Sequence, residues 1–160
     1  MTDPDYPLTL FRYQVDFKRV ALGDHAEQED VLICRGAFSD CTGLEATMEP
    51  KVIKSGGSNY GAHQRVGPVT FGTVILKRGM TTTRDLWKWF SHINETGKYA
   101  YRLNVTIRVS APGEEIPGKT LVVRLFRALP VKFKCADLNA RATEVGVEEL
   151  HLAHEGLSVA

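Results

Sequence analysis

His151 and His154, Glu148 and Glu149, the glycine pair 56–57, Trp87 with Trp89, and three cysteines are the residues of this 160-residue chain whose types could do chemistry. Each set fails on spacing. The two histidines stand three apart in a segment that reads as a strand, so they point to opposite faces and cannot share a metal. Glu148 and Glu149 are adjacent and diverge for the same reason. Gly56-Gly57 lacks the Lys-Ser/Thr of a phosphate loop and opens no helix. No serine has nucleophile-elbow spacing. Cys34, Cys41 and Cys135 are odd in number and show no ligand or framework spacing, which reads as free thiols in a reducing compartment. The chain is expected to have no catalytic residues, no cofactor and no metal.

Composition narrows the class further. A formal charge of +1 and a hydrophobic share of 43% describe an ordinary globular domain, with no bulk electrostatic pull toward nucleic acid or a membrane surface. The opening MTDPDYPLTL has neither a basic region nor an apolar run, so a signal peptide is not expected. No stretch approaches the roughly 20 apolar residues of a membrane span, and direct membrane insertion is not expected.

The elements that must carry any function centre on residues 69–97. Phe71, Thr73, Ile75 and Lys77 share one face of a strand, with Val74 and Leu76 on the other, so the run reads as covered on both sides. Arg78-Gly79 breaks it. Thr81, Thr82 and Thr83 offer N-caps, and Asp85 suits the first helical turn. Leu86, Trp87, Phe90 and Ile93 then form a helical stripe, with Gly97 as the stop. The spacing predicts a docked helix over about residues 82–95, with Trp87 in the core and Trp89 partly covered.

Strands surround it. Phe11, Tyr13, Val15 and Phe17 alternate with polar residues, and Tyr101, Leu103, Val105, Ile107 and Val109 do so without a break. Residues 23–30 read as a turn and residues 31–38 as a strand. Residues 46–54 read as a strand or hairpin arm, and 111–119 as a turn. Leu121, Val123, Leu125, Leu129, Val131 and Phe133 keep one phase around Arg127, with Pro130 implying an edge or a bulge. Val145 and Val147 are out of phase with Leu150 and Leu152, which predicts a β-bulge at Glu148 and Glu149. With roughly seven strands and one helix, the expected fold is mainly β: two packed sheets forming a small β-sandwich or barrel with one docked helix. The chain reads as a single domain, 1–160, with a loose arm at 1–8 and a long glycine-rich loop at 54–68. That loop has too little apolar content to order alone.

Several segments in order carry a family likeness: LKRGMTTTRDLWKWF (76–90), TGLE (42–45), KSGGSN (54–59), LPVKF (129–133) and LNARATEVGVEELHLAHEGL (138–157). Together they resemble the tube proteins of contractile phage tails and of extracellular contractile injection systems, over about residues 9–157. Phage-type sequences usually carry SGL at the turn, where Cys41-Thr42-Gly43 precedes Leu44 here. The resemblance implies a hexameric ring whose strands join into a continuous barrel around a channel, as in the type VI secretion tube. It implies rings stacked inside a sheath, baseplate and spike partners, and an effector protein or DNA as cargo. It also implies assembly in a bacterial cytoplasm with release by lysis. The same resemblance places ring stacking on Lys54, Ser55, Gly56, Gly57, Ser58, Asn59, Tyr60, Gly61 and Val66, aided by the N-terminal arm. A tube-initiating protein that joins tube to spike shares these patterns and stays open as an alternative. A small-molecule-binding β-barrel is the alternative from a different class.

Overall fold

A computed structural model of the chain describes residues 12–20, 27–30, 38–57, 59–97, 102–110, 120–141 and 143–160. The expected arm at 1–8, Cys34, the strand at 31–37, Ser58 and the turn at 111–119 lie outside them. In chain order the elements are β1 Arg12–Val20, β2 Glu27–Asp30, β3 Asp40–Thr42, β4 Ala46–Ile53, β5 His63–Phe71, β6 Val74–Gly79, α1 Asp85–Thr96, β7 Leu103–Ser110, β8 Leu121–Lys134, β9 Val147–Ala153 and β10 Gly156–Val159. Residues 27–30, expected in a turn, pair with β1 as a short strand.

Eight strands form one antiparallel sheet in the order β2-β1-β7-β8-β9-β6-β3, with β10 also on β8, and β4 and β5 form a separate pair. The alternation in β1 and β7 turns Val15, Phe17, Leu103, Val105 and Ile107 inward as expected. The first part of β8 pairs with β7 and β10, and its second part with β9. It is one strand serving two layers, and this requires breaks in its phase. Arg127 adopts a left-handed φ of 52°, and Asn104 Oδ1 accepts its backbone N–H at 3.0 Å. A second register shift falls between Pro130 and Lys132. The single phase expected for this strand is therefore wrong: Val123 and Leu125 face inward, then Ala128 and Pro130, while Val131 is exposed.

The sheet folds over itself as a result. β1 and the chain entering β3 lie toward opposite ends of the strand order, yet the rings of Phe17 and Phe38 are 6.3 Å apart. One apolar cluster fills the space between the layers and takes in Val74, Leu76, Leu125, Leu150 and Leu152. Among the described residues no ladder closes the ends, so the molecule is an open β-sandwich rather than a barrel.

The helix covers this core at Asp85–Thr96, capped by Gly97 in the left-handed region as expected. Its entry differs from expectation. Arg84, with φ 53°, occupies the N-cap without a side-chain bond, since a guanidinium has no acceptor to offer the free N–H groups; the hydroxyls of Thr81 and Thr83 lie 2.9 Å apart. The inward stripe is Leu86, Trp89 and Ile93, with Phe90 half-buried. Trp87, expected in the core, is 47% exposed and Trp89 only 2%. Trp89 meets Phe17 edge-on at 5.7 Å, whereas Trp87 leans on Phe90 and Phe133 outside.

The bulge expected at Glu148 and Glu149 is absent. β9 pairs with β6 in unbroken register from Val74↔Leu152 to Gly79↔Val147. Glu148 simply stays in phase with Leu150 and Leu152 and is buried with them. The apparent phase change arose because Val145 and Val147 face solvent.

Candidate assembly interface

The candidate site is the ribbon formed by β4 and β5. Loop character was expected as far as residue 68, but the strand resumes at His63, so the turn is confined to residues 54–62. The alternation here was hidden by Gly67 and Pro68. Gly67 sits where a Cβ would lie 2.5 Å from the Glu49 carbonyl oxygen, at the register shift between Met48 and Pro50.

Cross-strand pairing sorts the ribbon's outer half into two faces. Pro50 opposes Val66 and Val52 opposes Gln64, giving one largely apolar face. Lys51 opposes Arg65 and Ile53 opposes His63, giving a basic one. Every residue of β4 is exposed, as are Tyr60, fully so, and Val66. Lys54, Ser55, Gly56, Gly57, Asn59, Tyr60 and Gly61 lie together at the tip, with Val66 on the adjacent strand. A lone two-stranded ribbon is marginal in water, and Val52 and Val66 on its apolar face are exposed. At the root the Gly72 N–H donates to the Glu45 carbonyl at 3.1 Å, and Phe71 packs on His154 at 5.2 Å between ring centroids.

Behind the ribbon a charged group braces β6, which follows it. Arg78 was expected to end the strand as punctuation. Instead it is 1% exposed and continues the inward phase of Val74 and Leu76. Its Nε donates to Glu148 Oε1 at 2.5 Å and its Nη1 to Asp85 Oδ2 at 3.1 Å, while Nη2 also pairs with Asp85. Burial alone would lower the guanidinium pKa, but the bonds and charges of Asp85 and Glu148 raise it further above its usual value. Burial alone would likewise raise the Asp85 carboxyl; Arg78 and the Leu86 N–H outweigh that and hold it below the usual range. The cluster ties β6, β9 and the start of α1 together. The signal for it in the sequence was slight, because Asp85 is 7 and Glu148 is 70 residues from Arg78.

Among the described residues no group of His, Cys, Asp or Glu could hold a metal. Cys41 and Cys135 are free thiols. His151 lies 3.4 Å from Glu149, and His154 Nδ1 is 2.9 Å from the Gly156 carbonyl, so each is engaged separately.

The fold is thus a mainly β, open sandwich that carries an exposed two-stranded ribbon. The model of the T4-like virus tail tube protein gp19 family matches residues 9–158, and the chain belongs to that family. Its members are structural tube proteins and not enzymes. Solved structures share the fold. A chain of the anti-feeding prophage baseplate is 23% identical with a TM-score of 0.74, spanning 100% of this chain and 97% of that one. A chain of the sheath/tube terminator of the PVC extracellular contractile injection system is 16% identical with a TM-score of 0.76, spanning 99% of each. One from the PVC sheath-tube complex is 14% identical with a TM-score of 0.72, spanning 98% and 93%. No curated protein matches the chain.

Proposed function

We propose that this chain is the inner-tube subunit of a contractile injection particle or phage tail. It forms hexameric rings that stack around a channel, inside a sheath and above a baseplate, through which effector protein or DNA passes. The particle assembles in a bacterial cytoplasm and is released by lysis. The observation that carries this reading is the β4–β5 ribbon: its apolar face is uncovered in the single subunit, and a ring stack would cover it. Family membership supports the same role. Residues 54–61 and Val66 are the stacking elements in this reading.

Chains of similar fold also come from baseplate and terminator structures, which keeps a tube-initiating or tube-ending subunit as the second reading. Deleting residues 56–61 tests the first. The variant is expected to keep its fold and its rings, and to lose elongation by native mass measurement and negative-stain imaging. Tubes of normal length from the deletion variant would remove the loop from stacking. An unmodified chain that stops at single rings at every concentration would favour the initiator or terminator role.

A further inference from the structure

The ribbon leaves the body at Gly72, beside the first residue of β6. At the other end of the same strand, about 20 Å away for six residues, Met80 donates its N–H to the Gly146 carbonyl at 2.9 Å. Beside this contact lies an open groove lined by Met80, residues 136–140 and residues 144–147. Leu138, Val145 and Val147 expose apolar surface along it. Asp137, Glu144 and Glu149 line it with Lys134; Lys134 lies 3.9 Å from Asp137 and Lys77 lies 3.7 Å from Glu149, so the acidic excess of the lining is partly offset and rests chiefly on Glu144.

The outer ribbon is its complement. Residues 51–65 contain Lys51, Lys54 and Arg65 and no acidic residue. Lys51 and Arg65 stand directly opposite each other, and like charges paired across strands are destabilising until an anion is supplied. The opposite face of the ribbon, with Val52 and Val66, is apolar. A basic, apolar projection at one end and an acidic, apolar groove at the other are complementary between two copies of the chain. They match head to tail, and a head-to-tail contact of this kind propagates as a filament.

We propose that the groove lined by Met80, residues 136–140 and residues 144–147 receives the ribbon tip of a second copy of this chain, in the next ring. This rests on the stacking role proposed above and assigns its acceptor. Lys51 and Arg65 then meet Asp137 and Glu144, and Tyr60 covers Leu138 and Val145.

Charge exchange tests the assignment. Lys51→Glu with Arg65→Glu, or Asp137→Lys with Glu144→Lys, should each give folded rings that do not elongate. All four substitutions in one chain should restore tubes. As a second measurement, Tyr60→Cys and Val145→Cys subunits, both carrying Cys135→Ser, should form covalent dimers when mixed under mild oxidation, and neither should do so alone. If the groove variants elongate normally and no cross-link forms while the ribbon variants stall, the acceptor lies elsewhere and the tube reading stands. If the unmodified chain forms neither rings nor tubes, both fail.

Discussion

Arg78 and Asp85 meet at 3.1 Å between Nη1 and Oδ2, across the seven residues in which β6 gives way to α1. The pair fixes where the helix starts. With Glu148 on the other side of the guanidinium, it joins three elements through one buried cation. Removing one partner from such a cluster leaves an uncompensated charge away from water. Arg78→Met should therefore destabilise the subunit by about 3–5 kcal/mol. Adding Glu148→Leu should recover part of that loss, because the orphaned carboxylate goes with it. Urea denaturation of both variants checks this, and a cost below about 1 kcal/mol for Arg78→Met would show that the cluster relaxes.

The same cluster gives a pH dependence with a fixed sign. Asp85 has a folded pKa below its ordinary value. Its contribution is fully present above the unfolded pKa, about 3.9, and is lost as pH falls through the folded value. Asp85→Asn should be less stable than the unmodified chain at pH 7, and the difference should shrink once the pH drops below about 4. Parallel stability curves for the two proteins down to pH 3 would contradict the assignment.

The two tryptophans separate core from surface on one helix. Trp89→Ala removes a side chain wedged against Phe17 and should cost about 3–5 kcal/mol. Trp87→Ala, half-exposed over Phe133, should cost less than about 2 kcal/mol. Equal costs in chemical denaturation would mean the helix is rotated from the orientation seen here.

That pair also shows how far the sequence could be read. Trp89 stands three residues after Leu86 and four before Ile93, so helical spacing already sets it nearer that stripe than Trp87, and the expectation for Trp87 overlooked this. Burial of Leu86, Trp89 and Ile93 in the core turns Trp87 outward, and the Arg78–Asp85 contact holds the first turn of α1 in the same orientation. β1 and β7 were legible because one face of each meets the core along its whole length, so period two survives intact. β8 was not, since it changes layers at Arg127 and Val131 and its inward phase restarts at each break. Arg78 escaped notice because an arginine before glycine at a strand end looks like a terminator, and its partners are remote in sequence. The ribbon was half legible: its glycine-rich tip stood out, but Gly67 and Pro68 disguised the strand that follows.

The last prediction concerns the ribbon's root. Gly43 has φ +85°, and a Cβ there would lie 2.0 Å from the Thr73 carbonyl oxygen. That oxygen belongs to the backbone just before β6, so it cannot swing away as a side-chain tip would. Gly43→Ala therefore carries two costs, left-handed backbone strain of about 1–2 kcal/mol and overpacking of about 1–3 kcal/mol. Gly57 supplies the control, since its φ is +90° but its Cβ would meet nothing within 4 Å. Gly57→Ala should show the strain alone, and the excess for Gly43→Ala measures the clash. Because Gly43 and Thr73 sit where the chain leaves the sandwich for the ribbon and returns, relief of the clash must re-aim the ribbon. Tube elongation should then fail in Gly43→Ala at temperatures where circular dichroism still reports a folded subunit, while Gly57→Ala continues to elongate. Equal stability costs for the two variants, with normal tubes from both, would mean that the root yields and does not set the direction of the ribbon.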